Sequence, residues 1–539
     1  MAKYRINYNT LAHGAISWSH EGKDSQYCEA GELVTINWQP TGGWGLLEAH
    51  YTDGDGNVVP IDLTQRTFAM PSSDITIGGT FKRFALDDWA GDKDVTKGPL
   101  ESLGSFGKDE LPKLEGDDAI GTLAFVKDTK KYATWNGNYW TYFDGTPVVP
   151  QWLKFTSRDG DGIGFIVFND GYELPEDYKA PNLEYSLDGG VTWEPYELKI
   201  SDDPVDANLI TPDVGESILF RGVNENLAYY LEDEDDYLRV QCYMEGVFIA
   251  EGDVTSLLNG VGGDVPLADY CYSNMFKGCT GLTAAPALPA TTLAEGCYNY
   301  MFNGCTGLTA APALPATTLA AGCYSNMFKG CTGLTSAPAL PATTLAEGCY
   351  GSIFYGCTSL ATAPTLPATT LAARCYDSMF YGCTGLTAAP ALPATTLADY
   401  CYSNMFNGCT GLTAAPALPA TTLAEGCYNY MFNGCTGLTT APAMPATTLA
   451  ARCYDSMFYG CTGITSHHVA TLNASADVFK DNSSCDTFTI DAVTPPTIGS
   501  STITGLKATC VIYVPAASVD AYKAKQYWSA RSSYIQAKP

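Results

Sequence analysis

Residues 267–292 read LADYCYSNMFKGCTGLTAAPALPATT, and this stretch decides the fold because it is copied along the C-terminal half of the chain. Leu-Ala recurs every 26 residues, so that eight units follow one another. The units begin at Leu267, Leu293, Leu319, Leu345, Leu371, Leu397, Leu423 and Leu449. One unit cannot bury its apolar side alone, whereas stacked units share a core. The repeat therefore predicts a solenoid.

The spacing inside the unit predicts its local structure. Leu267, Cys271 and Met275 are spaced i, i+4, i+8, which predicts a helical turn or short helix with one apolar face. Gly278 is then expected to stop that helix. An extended run at 282–288 follows and contains Pro286, which cannot donate to a strand ladder. We therefore expect the strands between units to be short.

The chain has 20 cysteines, which in a small secreted protein would indicate a disulfide scaffold. Sixteen of them lie in the eight units, in pairs such as Cys271 and Cys279 that are separated by seven residues. This spacing is not the C-x-x-C of a zinc site. Two ladders of small buried thiols are the favoured interpretation, and bridges between neighbouring units are the alternative.

The units differ from one another mainly after Leu-Ala, after Cys-Tyr and after Met-Phe. On the predicted helix these positions lie opposite the apolar face. They form either a solvated surface or a ligand-contacting surface anchored by Tyr, which offers a large contact area at low entropy cost. The candidate binding residues are Tyr270, Lys277, Tyr300, Lys329, Tyr355, Arg374, Tyr381, Tyr400, Tyr430, Arg452 and Tyr459.

The run FKGCTGLT at 276–283, followed by Pro, resembles the BspA-like leucine-rich repeat family, typical of surface proteins of gut Bacteroidetes and their phages. The resemblance covers 267–466 and implies an α/β leucine-rich-repeat solenoid over 263–466. A C-terminal cap is expected over 467–539. There, 485–490 imitates the repeat as a degraded ninth rung, 509–515 reads as the last strand, and Ser518 is expected to cap a helix.

The N-terminal half reads as all-β modules. Residues 1–84 end in FAMPSSDITI, which resembles the divergent InlB B-repeat, a small β module of surface-exposed proteins. Residues 85–148 read as a linker, rich in Gly, Asp and Lys over 87–118, plus a short β-hairpin with an Asn-Gly turn. The hairpin is similar to short modules of phage tail and fibre proteins. Residues 149–262 read as a β-sandwich.

One Asp-box, SLDGGVTW at 186–193, lies in the predicted sandwich. In sialidases such boxes lie on hairpin turns away from the active site, so this copy indicates a structural hairpin. Residues 53–57 mimic the start of a calcium loop but lack its Gly and its final Glu, which favours a hairpin turn. Residues 232–236 read as a solvated acidic turn. The sequence therefore predicts no metal and no cofactor.

Charge and motifs argue against several function classes. The net charge of −29 lies almost wholly in residues 1–260, which makes nucleic acid an unexpected partner. No run of 18 apolar residues predicts a membrane span. The five His lie in no zinc spacing, and no P-loop or nucleophile elbow is present in the sequence. We therefore expect a protein that is not an enzyme.

The resemblances together imply a phage virion protein, a head or tail fibre or appendage that displays the solenoid for host-surface binding. Its expected partners are a host cell-surface protein or glycan, other virion proteins through the N-terminal half, and further copies of itself, for example in a trimer. Residues 1–10 lack the apolar segment of a secretory signal, which fits release by lysis. The alternatives are a bacterial cell-surface BspA-like adhesin and a sialidase-like glycan-active enzyme.

Overall fold

The computed structural model describes residues 150–176, 178–231 and 236–539 as continuous segments. Before residue 150 it describes the segments 3–8, 14–20, 27–40, 44–61, 67–83, 102–106, 123–126, 131–135 and 140–142. The chain divides into two compact parts, Met1–Phe143 and Asp144–Pro539. The described residues form several sheets and few helices, so the chain is a mostly-β multidomain protein. The all-β modules predicted for the N-terminal half agree with this, whereas the α/β class predicted for the repeats does not.

Two sheets of the N-terminal part share one core. The first has the strand order β3 (Tyr27–Glu29), β1 (Lys3–Tyr8), β8 (Ile75–Arg83), β5 (Trp44–Thr52) and β6 (Val58–Ile61). The second has the order β2 (Gly14–His20), β4 (Leu33–Pro40) and β7 (Thr67–Ala69). Ile6 and Ile75 of the first sheet and Val34 and Ile36 of the second belong to one buried cluster. The two sheets therefore pack face to face.

A third sheet of this part has the order β12 (Trp140–Tyr142), β11 (Lys131–Trp135), β10 (Leu123–Val126) and β9 (Ser102–Phe106). Strands β10, β11 and β12 pair antiparallel in succession, and the predicted Asn-Gly turn lies outside the described residues. Strand β9 pairs in parallel with β10 and lies in the stretch predicted as a linker. Its backbone partner comes from a distant segment, so no local pattern reveals it.

The C-terminal part begins with two facing sheets. One has the order β16 (Glu194–Tyr196), β15 (Leu183–Ser186), β18 (Ser217–Gly222), β13 (Leu153–Ser157), β21 (Phe248–Glu251) and β22 (Leu282–Ala284). The other has the order β17 (Lys199–Ser201), β14 (Ile163–Phe168), β20 (Asp236–Met244) and β19 (Ala228–Leu231). The rings of Phe155, Phe165 and Phe220 fill the space between the sheets, and α1 (Ser256–Asn259) packs on β18.

These two sheets continue directly into the repeat units. Strand β22 belongs to the first unit and pairs in parallel with β21. The Cys242 N–H in β20 donates to the Met275 carbonyl at 2.6 Å, and the rings of Phe155 and Phe276 pack 6.1 Å apart. One buried cluster includes residues of the facing sheets, of all the units and of the C-terminal segment. The sheets therefore cover the apolar end of the first unit, which would otherwise face water.

The strands between units are short, as predicted. Between β22 and β23 the described units show only isolated parallel bridges, such as Thr292 with Thr318. A proline at the position of Pro286 removes one donor from each of the first seven units. In unit eight His468 takes this position, and the four-residue strand β23 (Ser466–Val469) forms there. The proline thus limits the ladder between units.

The C-terminal segment forms a parallel sheet in the order β23, β24 (Thr487–Ile490), β25 (Val511–Val514) and β26 (Ile535–Ala537), with α2 (Val519–Ala524) after β25. The degraded ninth rung thus contains β24. Two expectations are corrected. Strand β26 follows the strand predicted as the last, and the Ser518 hydroxyl does not cap α2, because it donates to the Val493 carbonyl at 2.6 Å.

Candidate functional site

The first half of each unit is a ribbon of consecutive turns. Its N–H groups alternate between two kinds of partner. The Cys271 N–H closes a turn on the Ala268 carbonyl at 3.4 Å, whereas the Tyr272 N–H crosses to the Cys297 carbonyl of the next unit at 2.8 Å. The same alternation recurs in later units. Neighbouring units are therefore hydrogen-bonded along the ribbon as well as packed.

Every fourth residue of the ribbon has a left-handed backbone. In unit one these residues are Tyr270 (φ 56°), Asn274 (φ 59°) and Gly278 (φ 78°). The equivalent positions of all eight units also have positive φ. This conformation costs an L residue roughly 1–2 kcal/mol. The hydrogen bonds to the next unit offset that cost, since they form only when the chain follows this path.

The ribbon replaces the predicted helix, and the helical part of the predicted α/β class is wrong for the described units. An α-helix cannot hold a left-handed residue in every turn. The ribbon has a period of four, in which a pair of residues facing the core alternates with a pair facing outwards. The sequence carries this signal, because apolar pairs such as Cys271-Tyr272 and Met275-Phe276 recur at a constant spacing of four. The apolar face of an α-helix would instead alternate between spacings of three and four.

The inward residues form columns through the stacked units. Tyr272 and its equivalents stack at 5.6–6.3 Å between ring centroids, and Phe276 and its equivalents stack at 5.4–5.9 Å. The second cysteine of each unit after the first donates its thiol to a phenylalanine carbonyl, as Cys305 does to Phe276 at 3.0 Å. All 20 cysteines are buried thiols. The cysteines of the units form the two ladders that their spacing predicted.

The eleven candidate residues lie in three outer columns, and none of them is buried. We number positions from the Leu of each unit. Position 4 carries Tyr270, Arg374, Tyr400 and Arg452. Position 8 carries Tyr300 and Tyr430, and position 11 carries Lys277, Lys329, Tyr355, Tyr381 and Tyr459. The structure thus brings residues from distant parts of the sequence into continuous columns.

At position 11 the side chains contact one another. The Lys329 ammonium lies 4.8 Å from the Tyr355 ring centroid, and Tyr355 stacks on Tyr381 at 4.4 Å with an interplanar angle of 3°. At the far end the ammonium of Lys480 lies 5.0 Å from the Tyr459 ring. Lys480 lies in the turns that precede β24, and its carbonyl accepts the Gly460 N–H, so it belongs to the ninth rung. Such cation–π contacts contribute roughly 0.5–1 kcal/mol at exposed sites. The column therefore presents ring edges and hydroxyls rather than open ring faces.

The two tyrosines at position 4 also lie flat on their neighbours. The Tyr400 ring lies between the Arg374 guanidinium, 5.0 Å away, and Gly426, where an added Cβ would lie 2.3 Å from the ring. The Tyr400 hydroxyl donates to Glu425 at 3.1 Å. These contacts fix the ring, which leaves its edge and the acceptor side of its hydroxyl for an external partner.

Tyr270 repeats this arrangement with a partner from outside the repeats. Tyr237 of β20 stacks on it at 4.2 Å, and a Cβ added to Gly296 would lie 2.5 Å from the Tyr270 ring. Tyr230 in turn lies 5.0 Å from Tyr237. The outer column thus begins in the facing sheets, and sequence reasoning missed Tyr237 because its strand precedes the repeat. Lys480 was missed because the ninth rung departs from the repeat pattern.

Position 8 differs from the other two columns. Tyr430 is 39% exposed. The neighbouring Asn429 and its equivalent Asn299 each keep a buried amide oxygen that has no hydrogen-bond partner in the described part of the chain. Units two and seven are nearly identical in sequence, so the Asn-Tyr pair occurs twice. At these two places the column combines a tyrosine with an unused acceptor.

Arg452 lines an open groove of about 450 Å³ between unit eight and the following rung. Asp455, Asn473 and Ser475 line the same groove. One oxygen of Asp455 accepts the Ala476 N–H at 2.8 Å, which holds the carboxylate at the edge of the groove. The groove therefore offers a guanidinium together with polar groups of both donor and acceptor type.

The Asp-box forms the hairpin between β15 and β16, which confirms its structural interpretation. The Asp188 carboxylate accepts the Thr192 hydroxyl at 2.6 Å, and also the Thr192 and Val191 N–H groups and the Ser186 hydroxyl. These bonds, above all those from Thr192, lower the pKa of Asp188 to about 2. The carboxylate is thus occupied in holding the turn.

Residues 53–57 form the hairpin turn between β5 and β6, as predicted. Asp53 accepts the N–H groups of Asp55 at 3.0 Å and Asn57 at 2.8 Å. The hydrogen bonds from Asn57 hold the pKa of Asp53 below its usual value. Of the acidic turn at 232–236, only Asp236 lies among the described residues.

No group of three or more His, Cys, Asp or Glu in the described part of the chain is arranged to hold a metal ion. Among the same residues, no helix has the length and apolarity needed to cross a membrane. The sequence matches no protein-family model. A search of curated proteins also gives no match.

Proposed function

We propose that residues 263–466 form a BspA-like leucine-rich-repeat solenoid, and that the protein is a non-enzymatic virion protein that uses it to bind a host surface. The observation that carries the proposal is the separation of the two kinds of position. The shared cysteine, tyrosine and phenylalanine residues of the ribbon lie in the buried columns, whereas none of the eleven varying candidate residues is buried. Variation that includes an accessible face is typical of a recognition surface on a constant scaffold.

The chemistry of the outer columns favours a polar ligand. Most of their tyrosine rings are covered on their faces by neighbours, so they offer hydroxyls and ring edges beside the Lys, Arg and Asn side chains. These groups suit a host cell-surface protein or a glycan. Because the stacked rings are fixed before binding, little side-chain entropy would be lost on association.

The N-terminal part would attach the chain to other virion proteins, and copies of the chain would assemble further, for example as a trimer. A bacterial cell-surface adhesin is the alternative with the same binding face. Nothing in the geometry of the Asp-box favours a glycan-active enzyme, because its carboxylate serves the turn.

Binding of the purified chain to host cells tests the proposal. We expect Tyr300→Ala combined with Tyr430→Ala to reduce binding at least ~10-fold, since tyrosines at the centre of interfaces commonly contribute 1–2 kcal/mol or more each. Tyr381→Ala is a third variant, on the neighbouring column. A matched control replaces Thr343 and Thr369, which are exposed outside the three columns. Unchanged binding of the folded tyrosine variants would refute the binding face.

Two further measurements separate the candidate functions. Mass spectrometry of purified virions should find the chain, and its absence there with presence on bacterial cells would favour the adhesin. Turnover of a sialoside by the purified chain would contradict the non-enzymatic proposal.

A further inference from the structure

Cys485 and Cys510 lie in the C-terminal segment, outside the two cysteine ladders of the eight units. Their Sγ atoms lie 3.7 Å apart, and each Cys lies just before one of the paired strands β24 and β25. Both side chains are fully buried. The thiols therefore face each other across neighbouring rungs.

The hydrogen bonding of the units explains why this pair is unusual. In units two to eight each second-ladder thiol donates to a phenylalanine carbonyl, as Cys461 does to Phe432 at 2.9 Å. The next carbonyl in this series, that of Phe458, instead accepts the Asn482 side-chain amide at 2.5 Å. Asn482 therefore replaces the second cysteine of a regular unit. Cys485 stands where a regular unit has a leucine such as Leu308, so it places a thiol at a position that carries none in the eight units. This thiol contacts Cys510 and the Thr487 carbonyl.

We propose that Cys485 and Cys510 are a site of oxidative modification, where a disulfide closes the C-terminal cap. The reaction is thiol–disulfide exchange with a small-molecule disulfide such as oxidised glutathione. The proposal does not depend on what the outer face binds.

The exchange balances with two protein thiols and one external disulfide. The Cys510 thiolate attacks one sulfur of the external disulfide, whose S–S bond breaks to release one thiolate. The Cys485 thiolate then attacks Sγ of Cys510 and releases the second. Two electrons pass from the protein to the small molecule, and the two protons of the protein thiols end on the two released thiols.

The surroundings favour Cys510 as the attacking group. The hydrogen bond from Cys485 holds the pKa of Cys510 below its usual value, with a contribution from the nearby positive charge of Arg531. That guanidinium is anchored by donating to the carbonyls of Leu506 and Lys507, both at 2.8 Å. In units two to eight burial raises the pKa of the cysteines, as it does for Cys435.

The disulfide would act at the terminal rungs of the array. End units of a stacked array have a neighbour on one side only and therefore open first. The bond would link the ninth rung to the next one, so that β25 could not separate from β24. Because both thiols are buried, we expect the exchange to occur while the cap folds or transiently opens.

Peptide mapping of the full chain after incubation with oxidised glutathione tests the proposal. We expect one cross-linked peptide that joins Cys485 to Cys510, and titratable thiols that fall from 20 to 18 per unfolded chain. Cys485→Ser and Cys510→Ser should abolish the cross-link, whereas Cys435→Ser should leave its yield unchanged. A count that stays at 20, or a cross-link between other cysteines, would overturn the proposal.

Limited proteolysis provides an independent measurement. Oxidation of the unsubstituted chain should slow cleavage within 466–539 by roughly 30-fold or more, because a disulfide of this loop length restricts the open state. Reduction should restore the original rate, and Cys510→Ser should show no response to oxidation. An equal response in the serine variant would contradict the assignment.

Discussion

Tyr324→Phe and Tyr272→Phe make the same chemical change in one buried column, and we predict opposite effects on stability. The Tyr324 ring stacks between Tyr298 and Tyr350 at 5.7 and 5.8 Å, and its buried hydroxyl has no hydrogen-bond partner among the described residues. The Tyr272 hydroxyl, by contrast, donates to the Val254 carbonyl at 3.2 Å. Removal of the hydroxyl therefore relieves a buried unpaired group in one case and breaks a bond in the other.

The expected magnitudes follow from the two environments. A buried polar group without a partner costs about 1–3 kcal/mol, so Tyr324→Phe should raise the free energy of unfolding by about 1 kcal/mol or more. A neutral hydrogen bond contributes about 1 kcal/mol net, so Tyr272→Phe should lower it by about that amount. The Val254 carbonyl keeps the Leu257 N–H at 3.1 Å, which limits the loss.

Urea unfolding of the full chain, followed by near-ultraviolet circular dichroism, measures both effects as shifts in midpoint at constant slope. Tyr430→Phe serves as the control, because that ring is partly exposed. The free energy of unfolding of this variant should stay within ~0.5 kcal/mol of the parent's. If Tyr324→Phe destabilised the chain by about 1 kcal/mol, the hydroxyl would have a partner such as an internal water, and the reasoning would be refuted.

Three further predictions concern other parts of the molecule. His467 is buried, and burial lowers its pKa from 6.5 to about 4, so the unfolded chain binds more protons in that window. The free energy of unfolding should thus fall by about 3 kcal/mol as the pH drops from 6.5 to 4. Urea titrations of His467→Phe should lack this part of the pH dependence. Asp188→Ala should lower the thermal midpoint measured by calorimetry, because Thr192 loses its hydrogen-bond acceptor. In the parent, the stability that the ionised Asp188 contributes should be lost as the pH falls towards 2, where the carboxylate is protonated. At Gly322 an added Cβ meets no atom within 4 Å but φ is +56°, so Gly322→Asn should be tolerated, whereas Gly322→Val should cost about 1–2 kcal/mol in urea unfolding.

The candidate site was predictable in its positions but not in its geometry. The sequence separates constant from variable positions, and the variable ones that we named all remain accessible. It does not reveal that Tyr237 covers Tyr270 or that Arg374 covers Tyr400, because each contact joins residues that the chain brings together only by stacking. The helix prediction failed for a different reason. Apolar residues spaced by four over three turns resemble one face of a helix. In an α-helix of 3.6 residues per turn, however, positions spaced by four move gradually around the axis, and this sequence makes no adjustment for that movement.

The sequence by itself determined the 26-residue unit, the buried ladders of cysteine and aromatic residues, and the short strands that follow from proline. These features depend on local chemistry and on repetition, which are visible in a single chain. Tertiary structure alone decided that the facing sheets cover the first unit, that β9 joins a sheet, and that Cys485 meets Cys510. Each of these depends on pairing between distant segments, where the partner of a backbone group or thiol is set by how the chain stacks and not by its neighbours in sequence.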